Sequence, residues 1–329
     1  ETELTNRIRK GRFSSVISGS YNSTDGHREN MAFEQYGGYG KLGYDLTNNW
    51  NTYADVNVTH FNASYPGSVT APLLEGDQRI TRGVTSFALE NHYERTSGAL
   101  SFFYNWGKHW INDGYTPSKG ESPQNGRFNS RDDMMGISLY QSTQFFKGNR
   151  ITLGFDWFRY GGEAWTGFVK GENAGTERNL VDKHENELAG YVDFRQDFGT
   201  WVTINAGLRI DHHLRIGLEW VPQTGLAFHL PLGMELKASA TKGFRYPILR
   251  EMYMFPPQNP DLKPESIWNY ELAFSQRLLD DRLFYGVNLF YIDGKNLIMT
   301  LPNPNGSGML NQNSGKIDNT GIELQAAYR

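Results

Sequence analysis

Constellations that could do chemistry are few in this chain, and each lacks a part. His184-Glu185 begins like the zinc-protease motif H-E-x-x-H, but position 188 is Leu, so the second imidazole is missing. Asp211-His212-His213 offers one carboxylate and two imidazoles. Neighbours on a strand point to opposite faces, so these rings converge on a metal or a haem only if the segment is a turn. Gly38, Gly40 and Gly43 match G-x-G-x-x-G. That cradle needs a strand before it and a helix after it, whereas here an alternating strand runs on to Asp45. No G-x-S-x-G is present, and although carboxylates are plentiful on the polar faces, no cleft signal singles out two of them as a glycosidase pair. Cysteine is absent, which excludes thiol catalysis, disulfides and Cys-ligated metals. The residues therefore point away from an enzyme, and they call for no cofactor and no bound metal.

The elements that would position any site are strands. The 329 residues hold 36 Gly and 14% aromatics, a pairing that suits many strands joined by tight turns. Lys plus Arg is 32 against 36 Asp plus Glu, so no basic footprint for nucleic acid exists. Mean hydropathy is −0.59, and no run of about 18 apolar residues offers a membrane helix. Alternation of period two is nearly continuous. Val202, Ile204, Ala206, Leu208 and Ile210 oppose Trp201, Thr203, Asn205, Gly207, Arg209 and Asp211. Leu283, Tyr285, Val287, Leu289 and Tyr291 form another apolar face, as do Trp268, Tyr270, Leu272 and Phe274. The pattern predicts about fourteen strands of roughly 10–14 residues. Globular strands average about 5–6 residues, while a tilted membrane-spanning strand needs about 9–11.

Connections alternate between short and long. Short turns are expected near residues 47–49, 95–98, 147–149, 199–200, 230–233 and 280–281. Longer loops are expected at 22–32, 63–82, 111–131, 162–183, 244–266 and 294–316, with a compact member near 211–216. Outer-membrane barrels alternate in this way, with short turns on the periplasmic side and long loops outside. The polar faces carry Asp193, Arg195, Arg209, Asp211, Glu271 and Glu323, too many charges for the dry core of a soluble sandwich. They fit the polar interior of a barrel whose apolar face meets lipid. A large soluble β protein that binds or cleaves carbohydrate is the weaker alternative. Trp50, Trp106, Trp201 and Tyr291 near strand ends suit an interfacial girdle.

One segment departs from the alternation. Phe244-Arg245-Tyr246-Pro247 is followed by Glu251-Met252-Tyr253. Next come Asn259-Pro260-Asp261-Leu262-Lys263-Pro264-Glu265 and Asn269-Tyr270-Glu271, the last at the start of a strand. Pro247 suits the first position of a short helix, with Ile248, Leu249 and Met252 on its apolar side. The set resembles the signature of TonB-dependent outer-membrane receptors: F-R-x-P, E-x-Y, N-P-x-L-K-P-E and N-Y-E. Asn319-Thr320-Gly321-Ile322-Glu323 is similar to the family's N-x-G-x-E strand, and residues 25–30 (Asp-Gly-His-Arg-Glu-Asn) to a loop after an early barrel strand.

The resemblance implies a 22-stranded transmembrane antiparallel β-barrel, of which residues 1–329 form one domain. The N-terminal plug, the TonB box and the last strands are expected outside this stretch. It also implies an outer membrane of a Gram-negative bacterium, lipid around the wall, and a TonB complex acting through the plug. The ligand would be a scarce, bulky nutrient complex such as an iron–siderophore or a cobalamin-type molecule. Haem receptors emphasise the same F-R-x-P and N-P-x-L elements but place a His between them, and residues 248–258 contain none. Haem therefore remains a secondary alternative, and so does a passive porin or adhesin barrel. Arg245, Tyr253, Phe255, Trp165 and Tyr115 are the expected ligand-binding residues on outer loops. Asp193, Arg195, Arg209, Glu271 and Glu323 are expected to face the plug or water.

Overall fold

A computed structural model describes residues 1–329. It contains fifteen strands rather than about fourteen, hydrogen-bonded in strict sequence order. They are β1 (Thr2–Lys10), β2 (Phe13–Thr24), β3 (Phe33–Asp45), β4 (Trp50–Ser64) and β5 (Asp77–His92). β6 (Thr96–Asn112), β7 (Gly126–Thr143), β8 (Asn149–Phe168), β9 (Glu177–Phe198) and β10 (Val202–His213) follow. β11 (Gly217–Leu230), β12 (Met234–Arg245), β13 (Glu265–Leu278), β14 (Leu283–Pro302) and β15 (Met309–Tyr328) complete the sheet. Apart from strands there are only a 3-10 turn at Pro117–Lys119 and a wide helical turn at Arg250–Met254. No helix is long and apolar enough to cross a membrane.

By backbone proximity the chain divides into two compact units. One comprises Glu1–His92, Ala99–Ser138 and Phe158–Asn186. The other comprises Tyr93–Gly98, Leu139–Trp157 and Glu187–Arg329.

Burial runs opposite to that of a soluble β protein. Ala88, Ala164, Ala189, Tyr246, Met252 and Leu262 are the buried apolar side chains, and three of them are alanines. Arg127, Asp156, Glu185 and Asp211 are buried instead, while Leu153, Phe155, Leu208, Ile210, Leu272 and Leu289 are exposed. β10 shows this within one strand: Leu208 and Ile210 are exposed at 39% and 42%, whereas Asp211 and His213 are 1% and 0% exposed. A soluble sandwich needs a dry apolar core between two faces, and this sheet has none. A wall with an apolar lipid face and a polar inner face has this distribution.

The short connections fall where the sequence places them, within about three residues: 93–95 replaces the expected 95–98, and 144–148 the expected 147–149. Residues 231–233 join β11 to β12 and 279–282 join β13 to β14, the latter through left-handed Leu279, Asp280 and Asp281. The long connections are shorter than the sequence suggests: 25–32, 65–76, 113–125, 169–176, 246–264 and 303–308. β8 and β9 extend to Phe168 and back to Glu177, so much of the expected 162–183 loop is strand. Past the lipid band both faces meet water, so side-chain alternation fades while backbone pairing continues. Glu177–Glu187 in β9, apart from Leu180 and Val181, is polar on both faces for this reason.

The N-x-G-x-E strand has a physical basis. Gly321 pairs with Phe290 on β14, and a Cβ at Gly321 would collide with the Phe290 ring. Glycine is required there because the aromatic ring lies across it.

Candidate functional site

The candidate site lies on the connection from β12 to β13, residues 246–264. Arg245 closes β12 opposite Glu265, the first residue of β13. Its Nε donates to Glu265 Oε2 at 2.7 Å, while Nη1 and Nη2 donate to the two oxygens of Glu251 at 2.9 and 3.0 Å. Bidentate pairing of a planar guanidinium with a carboxylate fixes direction as well as charge. Glu251 Oε2 also accepts the Ile248 amide, and Glu265 Oε1 accepts the Ile298 amide of β14. One arginine thus ties the entry, the helical turn and the exit of the connection together.

Side-chain amides on β15 hold the outer part. Asn311 donates to the Glu251 carbonyl at 2.9 Å and its own carbonyl accepts from Asn259 at 2.7 Å. Asn313 donates to the Lys263 carbonyl and accepts the Lys263 amide, at 2.8 and 2.7 Å. Asn311 and Asn313 are two apart, so they share one side of the strand. From the β10–β11 turn, Arg215 donates to the Pro260 carbonyl at 2.8 Å and to Met252 Sδ at 2.7 Å. Met252, Pro247 and Leu262 are buried beneath this net. Tyr246 packs against His213 with the rings tilted and 5.0 Å apart, and donates to the Gly217 carbonyl at 3.0 Å. Burial pushes its hydroxyl well above the usual phenol range, so it stays protonated as a donor.

The expected site residues are distributed as follows. Three of the five Arg245 N–H groups are engaged by two carboxylates. Tyr253 lies in the helical turn under Arg215, and Phe255, 53% exposed, follows the turn with Arg250 over its ring. Tyr115 is in the 113–125 loop, joined to Leu74 by backbone bonds of 2.9 and 3.0 Å. Trp165 is not on a loop: it lies within β8, near the strand's outer end, beneath the Arg131 guanidinium. The sequence suggests a loop there because Gly161, Gly162 and Gly167 surround it.

On the inner face, Arg209 donates bidentately to Asp211 at 2.9–3.0 Å and reaches Asp156 on β8. Asp193 accepts from Gln223, and Arg195 pairs with Asp197 at 3.1 Å. Glu271 accepts from Asn269 at 2.6 Å, and Glu323 lies exposed on β15 opposite Asn288. The structure therefore does not gather these five into one site; they are spread along β9, β10, β13 and β15. His212 and His213 point to opposite faces of β10, and no group of three metal-binding side chains is assembled. Asn311, Asn313, Arg215 and Asp156 are participants that sequence reasoning missed. The only signal for the asparagines was their i, i+2 spacing in Asn311-Gln312-Asn313.

Residues 8–329 match the family model described as TonB dependent receptor-like, beta-barrel. The chain belongs to the TonB-dependent receptor β-barrel family. It is 25% identical over 191 residues to the vitamin B12 transporter BtuB of Photobacterium profundum, covering 56% of this chain and 29% of the relative. Among solved structures, the siderophore receptor PirA of Pseudomonas aeruginosa superposes with a TM-score of 0.73 at 16% identity, over 98% of this chain and 58% of PirA. The alcaligin outer-membrane receptor FauA of Bordetella pertussis gives 0.67 at 16%, over 99% and 55%. This TonB-dependent receptor chain thus spans under 60% of the length of each. The likeness to PirA and FauA shows the shared antiparallel barrel fold.

Proposed function

We propose that this chain is wall of an energised outer-membrane receptor that takes up an iron–siderophore or cobalamin-type complex. The observation that carries the reading is the 246–264 connection with its flanking Arg245 and Glu265, where the F-R-x-P, E-x-Y and N-P-x-L-K-P-E elements fold into one hydrogen-bonded unit at the long-loop end of the sheet. The names of the relatives, receptors for siderophores and a transporter for vitamin B12, support the ligand class. Tyr115, Trp165, Tyr253 and Phe255 supply aromatic surface for a large ligand, and Arg245 holds the connection in place for them. The inner-face charges Asp193, Arg195, Arg209, Glu271 and Glu323 face a plug domain or water, and the TonB complex acts through that plug. The work is binding and gating in the outer membrane of a Gram-negative bacterium, with no bond made or broken.

The test is uptake by cells that lack the endogenous gene and express the full-length receptor. Labelled ferric siderophores and labelled cobalamin are supplied with and without functional TonB. Accumulation of one ligand class, only with TonB, is the expected result. Steady ion conductance that ignores the energy source would favour a passive porin, and growth on haem alone would favour a haem receptor.

A further inference from the structure

The ladder between β11 and β12 stops partway. Its register runs from Leu230–Met234 to Gln223–Thr241. Yet β11 continues to Gly217, paired with β10, and β12 continues to Arg245, paired with β13. The cause is readable from bond directions. The His229 amide donates to the Trp201 carbonyl beside β10, and the Arg277 amide donates to the Gly233 carbonyl beside β12. Directions alternate along a strand, so the even residues of β11 and β12 face each other. Thr224 and Ala240 form such a pair, and the next would be Pro222 with Lys242. Pro222 has no N–H to give, so the ladder ends there.

Side chains bridge the gap that follows. Lys242 lies opposite Trp268, on the outer apolar face, whereas Glu219 lies opposite Asp211, on the inner polar face. Nevertheless, Lys242 Nζ reaches Glu219 Oε2 at 2.8 Å, and the lysine side chain is only 9% exposed. Its stem therefore passes between the two strands. Its ammonium lies 5.1 Å from the Trp220 ring, and Trp220 meets Trp268 edge-on at 6.1 Å. Further out, Tyr246 crosses the same line to the Gly217 carbonyl.

We propose that the outer end of the β11–β12 boundary is a yielding seam, latched by Lys242–Glu219, by Tyr246 and, from the β10–β11 turn, by Arg215. Through it the signature connection moves with β12 without tearing the sheet. A backbone ladder resists opening cooperatively, whereas a few side-chain contacts open locally and reclose. Arg245, bonded to Glu251 and Glu265, makes the connection and the outer end of β12 one piece, so displacement of residues 246–264 falls on this seam first. The inference holds whichever nutrient the receptor carries.

The test is residue-resolved hydrogen exchange on the full-length receptor in lipid nanodiscs. Trp220 and Phe244 face the seam, and Thr224 and Ala240 face the intact ladder. The seam predicts exchange at Trp220 and Phe244 roughly tenfold or more faster than at Thr224 and Ala240. Equal protection on both sides of Gln223–Thr241 would overturn it. The double variant Lys242→Met with Glu219→Gln removes the latch without leaving a lone charge. It should raise exchange at Trp220 and Phe244 by about another tenfold and leave Thr224 and Ala240 unchanged. No rise, or a rise spread equally over all four amides, would overturn the Lys242–Glu219 pair as a latch.

Discussion

Two sets of outer connections are held by different means. Residues 246–264 have a small apolar core of Met252, Leu262, Pro247 and Tyr246, and their polar groups are clamped by Arg245, Asn311, Asn313 and Arg215. Residues 65–76 and 113–125 are joined to each other through backbone, Leu74 bridging Tyr115, and Gly67 bridges Pro72 within the first. Side chains add ties around that bridge: Tyr65 to the Asn112 carbonyl, Arg28 to the Gly67 carbonyl, Glu121 to the Thr116 amide, and Arg127 and Lys170 with Glu75. A clamp made of side chains fixes residue types, so it is written into the sequence as a motif. A bridge made of backbone leaves the side chains free to vary and to meet different ligands.

The largest expected effect removes the core of the first region. Met252→Ala should cost about 2–5 kcal/mol, because a fully buried side chain leaves a cavity; equilibrium urea unfolding in bilayers measures it. A loss below about 1 kcal/mol would erase the distinction between the regions. Leu289→Arg sets the scale of the wall that carries both. It should cost about 2–4 kcal/mol near the bilayer midplane, and Asn288→Arg much less. Equal costs would mean that the faces of β14 are misassigned. Arg245→Ala should cost about 1–2 kcal/mol, reduced by solvent screening because the guanidinium is 42% exposed. It should also raise proteolytic cutting within 246–264 while leaving 65–76 and 113–125 unchanged. Tyr115→Ala should cost about 1 kcal/mol or less, since the Leu74 bridge uses only main-chain atoms. A larger loss would show that the second region depends on side chains after all.

The sequence foretold these regions unequally, for the same physical reason. Strands inside the lipid band were legible because lipid on one side and polar contents on the other impose strict alternation. Outer strand ends were not, since water on both faces removes that demand; the misplaced 162–183 loop and Trp165 follow from this. Glu251 and Glu265 lay in plain view within the signature, but their convergence on Arg245 was not visible from spacing. Asn311 and Asn313 gave almost no signal, because their partners are backbone atoms about fifty residues earlier. The Asp156–Arg209–Asp211 group needed the register of three strands to assemble.

In the proposed function Arg245 organises the signature connection and Phe255 offers surface to the ligand. Equilibrium binding of the transported complex to folded full-length receptor, compared between Arg245→Ala and Phe255→Ala, tests it most directly. The account predicts that Phe255→Ala weakens affinity about tenfold with stability unchanged. It predicts that Arg245→Ala lowers stability and leaves the affinity of the folded fraction within about twofold. A loss of affinity confined to Arg245→Ala, at full stability, would contradict it.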